Sequence, residues 1–244
     1  MLHNAFLVHG TVEDESEFRH TQPTVHVEHG VPILGTELTW RIYEEFEHIL
    51  QQTLEGLALE LGWIRDNLSD IEEEDYLRII LKETCWYSFI HPRTIGALVA
   101  TGNSISLDRF DLYGYYLNTT FQIMDDVLNV TRDESRYGKE IASDIWQENR
   151  RLMLVHLNKH CDDSERIRLH ELLSRDRQAR ATEDIRWVYQ IMQTYGSIDY
   201  ARNLCRSFAG AALFQFTTAF GDCPESEDKS SIRLVIHYMI NRDI

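Results

Sequence analysis

Proline is nearly missing from this chain. Four occur in 244 residues, Pro23, Pro32, Pro92 and Pro224, and none falls between Arg93 and Cys223. Helix interiors exclude proline, which lacks the N–H and clashes with the preceding turn, so this scarcity leans all-α. Cysteine is also sparse. Cys85, Cys161, Cys205 and Cys223 lie far apart with no C-x-x-C, which excludes a zinc finger or thioredoxin-like site and suits free thiols in a reducing cytosol. Positive charge is in deficit, with 24 Lys and Arg against 40 Asp and Glu and a formal charge of −16. That balance excludes a general nucleic-acid or anionic-membrane surface, both of which need positive patches. It fits a protein that binds cations or uses them to hold anions. No run approaches the ~18–20 apolar residues of a membrane span. Residues Met1 to Gly10 lack the basic flank and apolar length of a signal peptide. The expected location is the cytoplasm.

What is present is helical periodicity. Hydrophobic residues make up 43% and charged residues 26%, enough for a buried core. Ile42, Phe46, Ile49, Leu50, Leu54, Leu57 and Leu61 recur at three- and four-residue steps, predicting one long helix from about Thr36 to Trp63. Asp70 with Glu73 resembles a capping box, and the helix it opens is expected to run to about Ile90, stopped by Pro92. After Asn103 to Ser106 a third long helix reaches about Val130. Shorter helical patterns follow near 145–160, 163–174, 181–195, 197–220 and 229–241. Only Thr21 to Leu34 looks extended. No internal repeat or linker appears, and one helical domain over 1–244 is expected.

The sharpest chemical feature is Phe121-Gln122-Ile123-Met124-Asp125-Asp126-Val127-Leu128-Asn129. Two carboxylates end an otherwise apolar helix, and Asp125 and Asn129, four apart, share a face. A carboxylate partly buried there needs a counter-charge. Mg²⁺, held by one or two carboxylates plus substrate phosphates, supplies one. Lys139, after the polar loop from Thr131 to Gly138, can neutralise diphosphate as a point cation. On composition alone the pair equally fits a solvated acidic helix end. The acids Glu13, Asp14, Glu15 and Glu17 fit a solvated loop, and the histidines crowding the first thirty residues match no zinc spacing.

Taken in order, several stretches resemble the polyprenyl diphosphate synthase family, the trans-isoprenyl diphosphate synthases. They are Leu2 to His9, Glu13 to Arg19, Gln22 to His26, Thr84 to Pro92, Phe121 to Asn129, Tyr137-Gly138-Lys139-Glu140 and Ser143-Asp144. The likeness runs over nearly the whole chain. It implies an all-α isoprenoid-synthase helical bundle around a central cavity, usually dimeric, that condenses an allylic prenyl diphosphate with isopentenyl diphosphate. In such a fold, two Asp-rich motifs hold Mg²⁺ ions that grip the allylic diphosphate. The second motif matches at Asp125, Asp126 and Asn129, with Gln122 one turn earlier. By the same resemblance Lys139 binds diphosphate, His3 contacts isopentenyl diphosphate, and Arg19 is the first of an arginine pair.

The first motif departs from the pattern. Gly10-Thr11-Val12-Glu13-Asp14 keeps only its last acid, Asp14, as a metal ligand. His20 replaces the second arginine and Leu57 a glutamine. Glu83 replaces a lysine beside Thr84, and Asn149 another lysine. Lys82 and Arg150 are the adjacent candidates to stand in for them. The family's N-terminal helices, with their isopentenyl site, have no counterpart, and a helix-sized segment is missing near Ile33. A misplaced unit charge at ~4 Å matters by roughly 4 kcal/mol at an effective dielectric near 20, so Glu83 bears directly on diphosphate binding.

Three functions stay open. The first is a Mg²⁺-dependent prenyltransferase making a C15–C20 product, or a terpene-synthase-like enzyme using one allylic diphosphate. The second is a non-catalytic or regulatory subunit that pairs with an intact synthase. The third is a shortened copy that folds but does little. The small Ala5 and bulky Phe6, which precede the first motif, bear on product length by resemblance. The expected oligomer is a homodimer, or a heterodimer with an intact synthase.

Overall fold

A computed structural model describes residues 34–66, 71–131, 151–175 and 177–241, together with the backbone of 18–19 and 22–23. The architecture is all-α. The helices are α1 (Thr36–Arg65), α2 (Glu73–Ile80), a π-helix (Leu81–Ile90), α3 (His91–Thr101), α4 (Asp111–Thr131), α5 (Leu152–His160), α6 (Asp163–Leu173), α7 (Thr182–Thr194), α8 (Ser197–Phe220) and α9 (Glu227–Asn241). A two-residue antiparallel ladder pairs β1 (Phe18–Arg19) with β2 (Gln22–Pro23). Only β2 falls within the stretch from Thr21 to Leu34 expected to be extended, and Leu34 is helical; residues 24–33 lie outside the described residues.

Helix α4 is the axis of the bundle. One side of it packs on α8 and the other on the π-helix. Its apolar residues serve two cores: Ile123, Met124, Val127 and Leu128 join one with Tyr76, Ile80 and Leu152, while Tyr113 and Leu117 join a second with Phe216 and Phe220. A helix apolar on nearly every side must be central, and Tyr113, Leu117 and Ile123 are fully buried. Burial pushes the Cys85 thiol up to about 12, so it behaves as a small core hydrophobe.

Two helix ends differ from the sequence pattern. Pro92 does not stop the second helix. It sits in the first turn of α3, directly after the π-helix, and the chain runs on to Thr101. The widened π-helix, rather than the proline, punctuates this segment. The capping box also lies elsewhere than Asp70 and Glu73. The Glu72 N–H donates to the Asp75 carboxylate, one turn into α2.

Close backbone approaches set the position of the π-helix. A Cβ on Gly56 of α1 would lie 2.8 Å from the Glu83 backbone nitrogen, and one on Gly114 of α4 would lie 2.7 Å from Ile90 Cγ1. Glycine is required at both crossings. Gly56→Ala is expected to cost about 1–3 kcal/mol by overpacking, read as a lower midpoint in urea; an unchanged midpoint would mean that α1 and the π-helix are not packed this tightly. A polar latch ties the same elements together: His91 Nδ1 lies 2.6 Å from Glu45 Oε2, and His91 Nε2 lies 2.8 Å from His48 Nδ1.

Candidate active site

The last two turns of α4 carry Gln122, Asp125, Asp126 and Asn129 at i, i+3, i+4 and i+7, so all four fall on one stripe. The structure divides the twin aspartates. Asp126 is 2% exposed, whereas Asp125 is exposed at the surface of the stripe and Asn129 is half-buried beside it. The buried carboxylate of the pair is Asp126.

Asp126 is buried because its oxygens are held. Tyr76 of α2 donates its hydroxyl to Oδ2 at 2.7 Å, and Gln122 donates its amide to Oδ1 at 3.0 Å. The Arg151 guanidinium stands 3.8 Å from Oδ1 and 3.8 Å from a Glu60 oxygen of α1. Charge, hydroxyl and amide together offset the cost of burying this carboxylate. They also tie the end of α4 to α2 and to the start of α5.

Arg151 is the member of this cluster that the sequence pattern missed. It immediately precedes α5, in an extended conformation at φ −78° and ψ 160°. The one available signal was its place just before the apolar run Leu152 to Val155, where a helix begins. Arg150, the stand-in expected from sequence, lies outside the described residues. So do Lys139, His3 and Asp14, along with the side chain of Arg19.

Lys82, the stand-in expected for the displaced lysine, turns toward α1. Its ammonium donates to Gln52 Oε1 at 2.9 Å and Glu55 Oε2 at 2.5 Å on α1, and it is committed there. Glu83 is the residue that faces the acidic group. Burial, then the charge of Glu60, push its carboxyl up from 4.5 to about 7, while Arg151 opposes them. Neighbouring Thr84 is pinned, accepting from the Asn118 amide at 2.7 Å and donating to the Ile80 carbonyl.

The raised Glu83 carboxyl has a consequence for stability. The folded chain binds this proton more tightly than the unfolded chain does. The benefit to the fold is complete below pH 4.5 and is lost as the pH rises through about 7. Glu83→Gln is therefore expected to match the wild type near pH 4.5 and to be more stable by about 1 kcal/mol at pH 8, after allowing for solvent screening of a half-buried group. Urea unfolding at the two pH values checks this; equal effects at both would place Glu83 in open solvent.

Among the described residues no group of three or more His, Cys, Asp or Glu side chains converges into a ready metal cage. The donors on the outer side of the stripe are a carboxylate and an amide, Asp125 and Asn129. Hard oxygen donors that are few in number suit Mg²⁺, which keeps waters and is completed by substrate phosphates.

The polyprenyl synthetase family model matches residues 1–192. The chain belongs to that family. It is 27% identical over 235 residues to the geranylgeranyl diphosphate synthase of Sulfolobus acidocaldarius, covering 87% of this chain and 69% of that protein. It is likewise 27% identical over 255 residues to the octaprenyl diphosphate synthase of Haemophilus influenzae, covering 99% and 75%. The crystal structure of geranylgeranyl pyrophosphate synthetase from Pyrococcus horikoshii superposes with a TM-score of 0.72 at 25% identity, covering 98% of this chain and 76% of that one. As a polyprenyl synthetase family member the chain is of prenyltransferase type, with the helical fold of the isoprenyl synthases. Among the described residues no helix is long and apolar enough to cross a membrane.

Proposed function

We propose that the chain is a Mg²⁺-dependent prenyltransferase of isoprenoid biosynthesis that ionises an allylic prenyl diphosphate and joins it to isopentenyl diphosphate, giving a C15–C20 product. One observation carries this proposal: Asp126 is buried and clamped by Tyr76, Gln122 and Arg151, while Asp125 beside it on the same stripe of α4 is exposed. Asp125 and Asn129 would hold the cation, and Asp126 would support them. Mg²⁺ supplies positive charge to the diphosphate leaving group as its C–O bond breaks. Arg151 contributes a fixed cation on the same side. The hydrogen bonds to Asp126 keep the end of α4 from reorganising as charge develops, which is how a preorganised site lowers a barrier. Lys139, Arg19, His3 and Asp14 complete the proposed site by their match to the family motifs, within one helical domain.

The product range rests on the small Ala5 and bulky Phe6. The relatives cover longer products as well, one being a geranylgeranyl and another an octaprenyl diphosphate synthase. A dimer is part of the proposal, since α1 leaves Trp40, Phe46, Leu54 and Leu61 exposed along its length. The test incubates the protein with Mg²⁺ and geranyl, farnesyl or geranylgeranyl diphosphate, with and without labelled isopentenyl diphosphate, and resolves the products by chain length. Label in a C15–C20 diphosphate is the expected result. Release of diphosphate without incorporation of label would point to chemistry on one allylic diphosphate alone, and no turnover in any combination would leave a non-catalytic subunit.

A further inference from the structure

Positive charge is the minority on this chain, yet one groove collects it. Helix α9 folds back on α8 after the turn at 221–226, and a groove of about 490 Å³ lies between them. Lys229, Arg233 and His237 line one wall at four-residue steps, with Ser230 beside them, while Leu213 and Phe216 of α8 contribute apolar surface. Residues four apart on a helix stack on one face, so the three basic groups form a line about 12 Å long at 1.5 Å per residue.

The three side chains are not equivalent. Lys229 is fixed near the turn, its ammonium donating to the Cys223 carbonyl and to Glu225 Oε1, each at 2.7 Å. Glu225 is the one carboxylate lining the groove, and it is engaged by that lysine. Among the described residues the Arg233 guanidinium has no hydrogen bond or ion pair, and neither does the His237 ring. In a protein with 40 acidic residues against 24 basic ones, an arginine left without a carboxylate in a lined groove stands out. A guanidinium presents a planar fork of donors that matches phosphate oxygens, and Ser230 adds a hydroxyl one turn away. Leu213 and Phe216 give such a head group an apolar neighbour on the opposite wall.

We infer that the groove between α8 and α9 is a second anion-binding site, made for a phosphate or diphosphate head group carrying an apolar chain and held chiefly by Arg233. This inference does not rest on the activity proposed above, because the groove is built from other elements than the α4 stripe. It gives the protein a place to hold an amphiphilic phosphate without Mg²⁺.

The experiment titrates the whole chain calorimetrically with inorganic pyrophosphate, farnesyl diphosphate and farnesol in the presence of EDTA, which silences a Mg²⁺-dependent site. Farnesyl diphosphate is expected to bind at least tenfold more tightly than either pyrophosphate or farnesol. Arg233→Ala is expected to weaken it about tenfold, Arg233→Lys by less, and Asp125→Asn not at all. Arg233 is exposed, so both of its variants should fold; circular dichroism melts confirm that. The inference is overturned if the wild type does not bind under EDTA. It is equally overturned if Arg233→Ala binds as the wild type does, if Asp125→Asn abolishes binding, or if farnesol competes as well as its diphosphate.

Discussion

Asp125→Asn is expected to slow Mg²⁺-dependent diphosphate release from an allylic diphosphate by about 10²–10³-fold, the scale on which loss of one group stabilising transition-state charge acts. The fold should not notice. Asp125 is exposed, and surface substitutions of that kind usually fall within about 0.5 kcal/mol. The neighbouring carboxylate supplies the contrast. Asp126→Ala removes the acceptor for Tyr76 and Gln122 and the partner of Arg151. Leaving buried donors unsatisfied costs about 1–3 kcal/mol each, so this variant should lose stability as well as rate. Two adjacent aspartates thus separate by assay: one changes rate alone, the other rate and melting together. A rate insensitive to Asp125 would move the chemistry off the α4 stripe.

Glu83→Lys is expected to tighten diphosphate binding by about 10–100-fold. The wild-type carboxylate sits in reach of Glu60, Asp126 and Arg151, beside the stripe of α4 proposed to hold the head group. Reversing its charge changes the local field by two units. At ~4 Å and an effective dielectric near 20 each unit is worth roughly 4 kcal/mol, and half-exposure to solvent reduces that to the 1.4–2.8 kcal/mol that a 10–100-fold effect represents. The substitution also relieves the repulsion with Glu60, so stability at pH 8 should rise rather than fall. Equilibrium binding of an allylic diphosphate with Mg²⁺, wild type against variant, checks it. No change in affinity would mean that the head group lies away from the π-helix.

The helices were legible in the sequence where periodicity alone decides. The patterns at 163–174, 181–195 and 197–220 match α6, α7 and α8 nearly residue for residue. The segment around Pro92 was not legible, because a π-helix leaves no period of its own: its extra residues per turn shift which side chains face inward. The different directions of Lys82 and Glu83 have the same origin. Counting from an ordinary helix cannot tell which of two neighbours turns toward α1 and which toward Asp126. Arg151 was hidden for a different reason. Two adjacent arginines precede Leu152 in the sequence, and no periodicity foretells that Arg151, with its extended backbone, lies beside Asp126. The motif at 121–129 was visible as chemistry, but the sequence treats its aspartates as equals. Their division into a clamped carboxylate and an outward one depends on Tyr76, fifty residues away.

The most direct test of the account is whether Asp125 helps to bind a divalent ion beside a diphosphate. Mn²⁺, standing in for Mg²⁺, can be followed by electron paramagnetic resonance as it is titrated into the protein with inorganic pyrophosphate. The account predicts a protein-bound Mn²⁺ population that needs pyrophosphate and disappears in Asp125→Asn. Bound Mn²⁺ that persists undiminished in that variant, or no bound Mn²⁺ in the wild type, would contradict it.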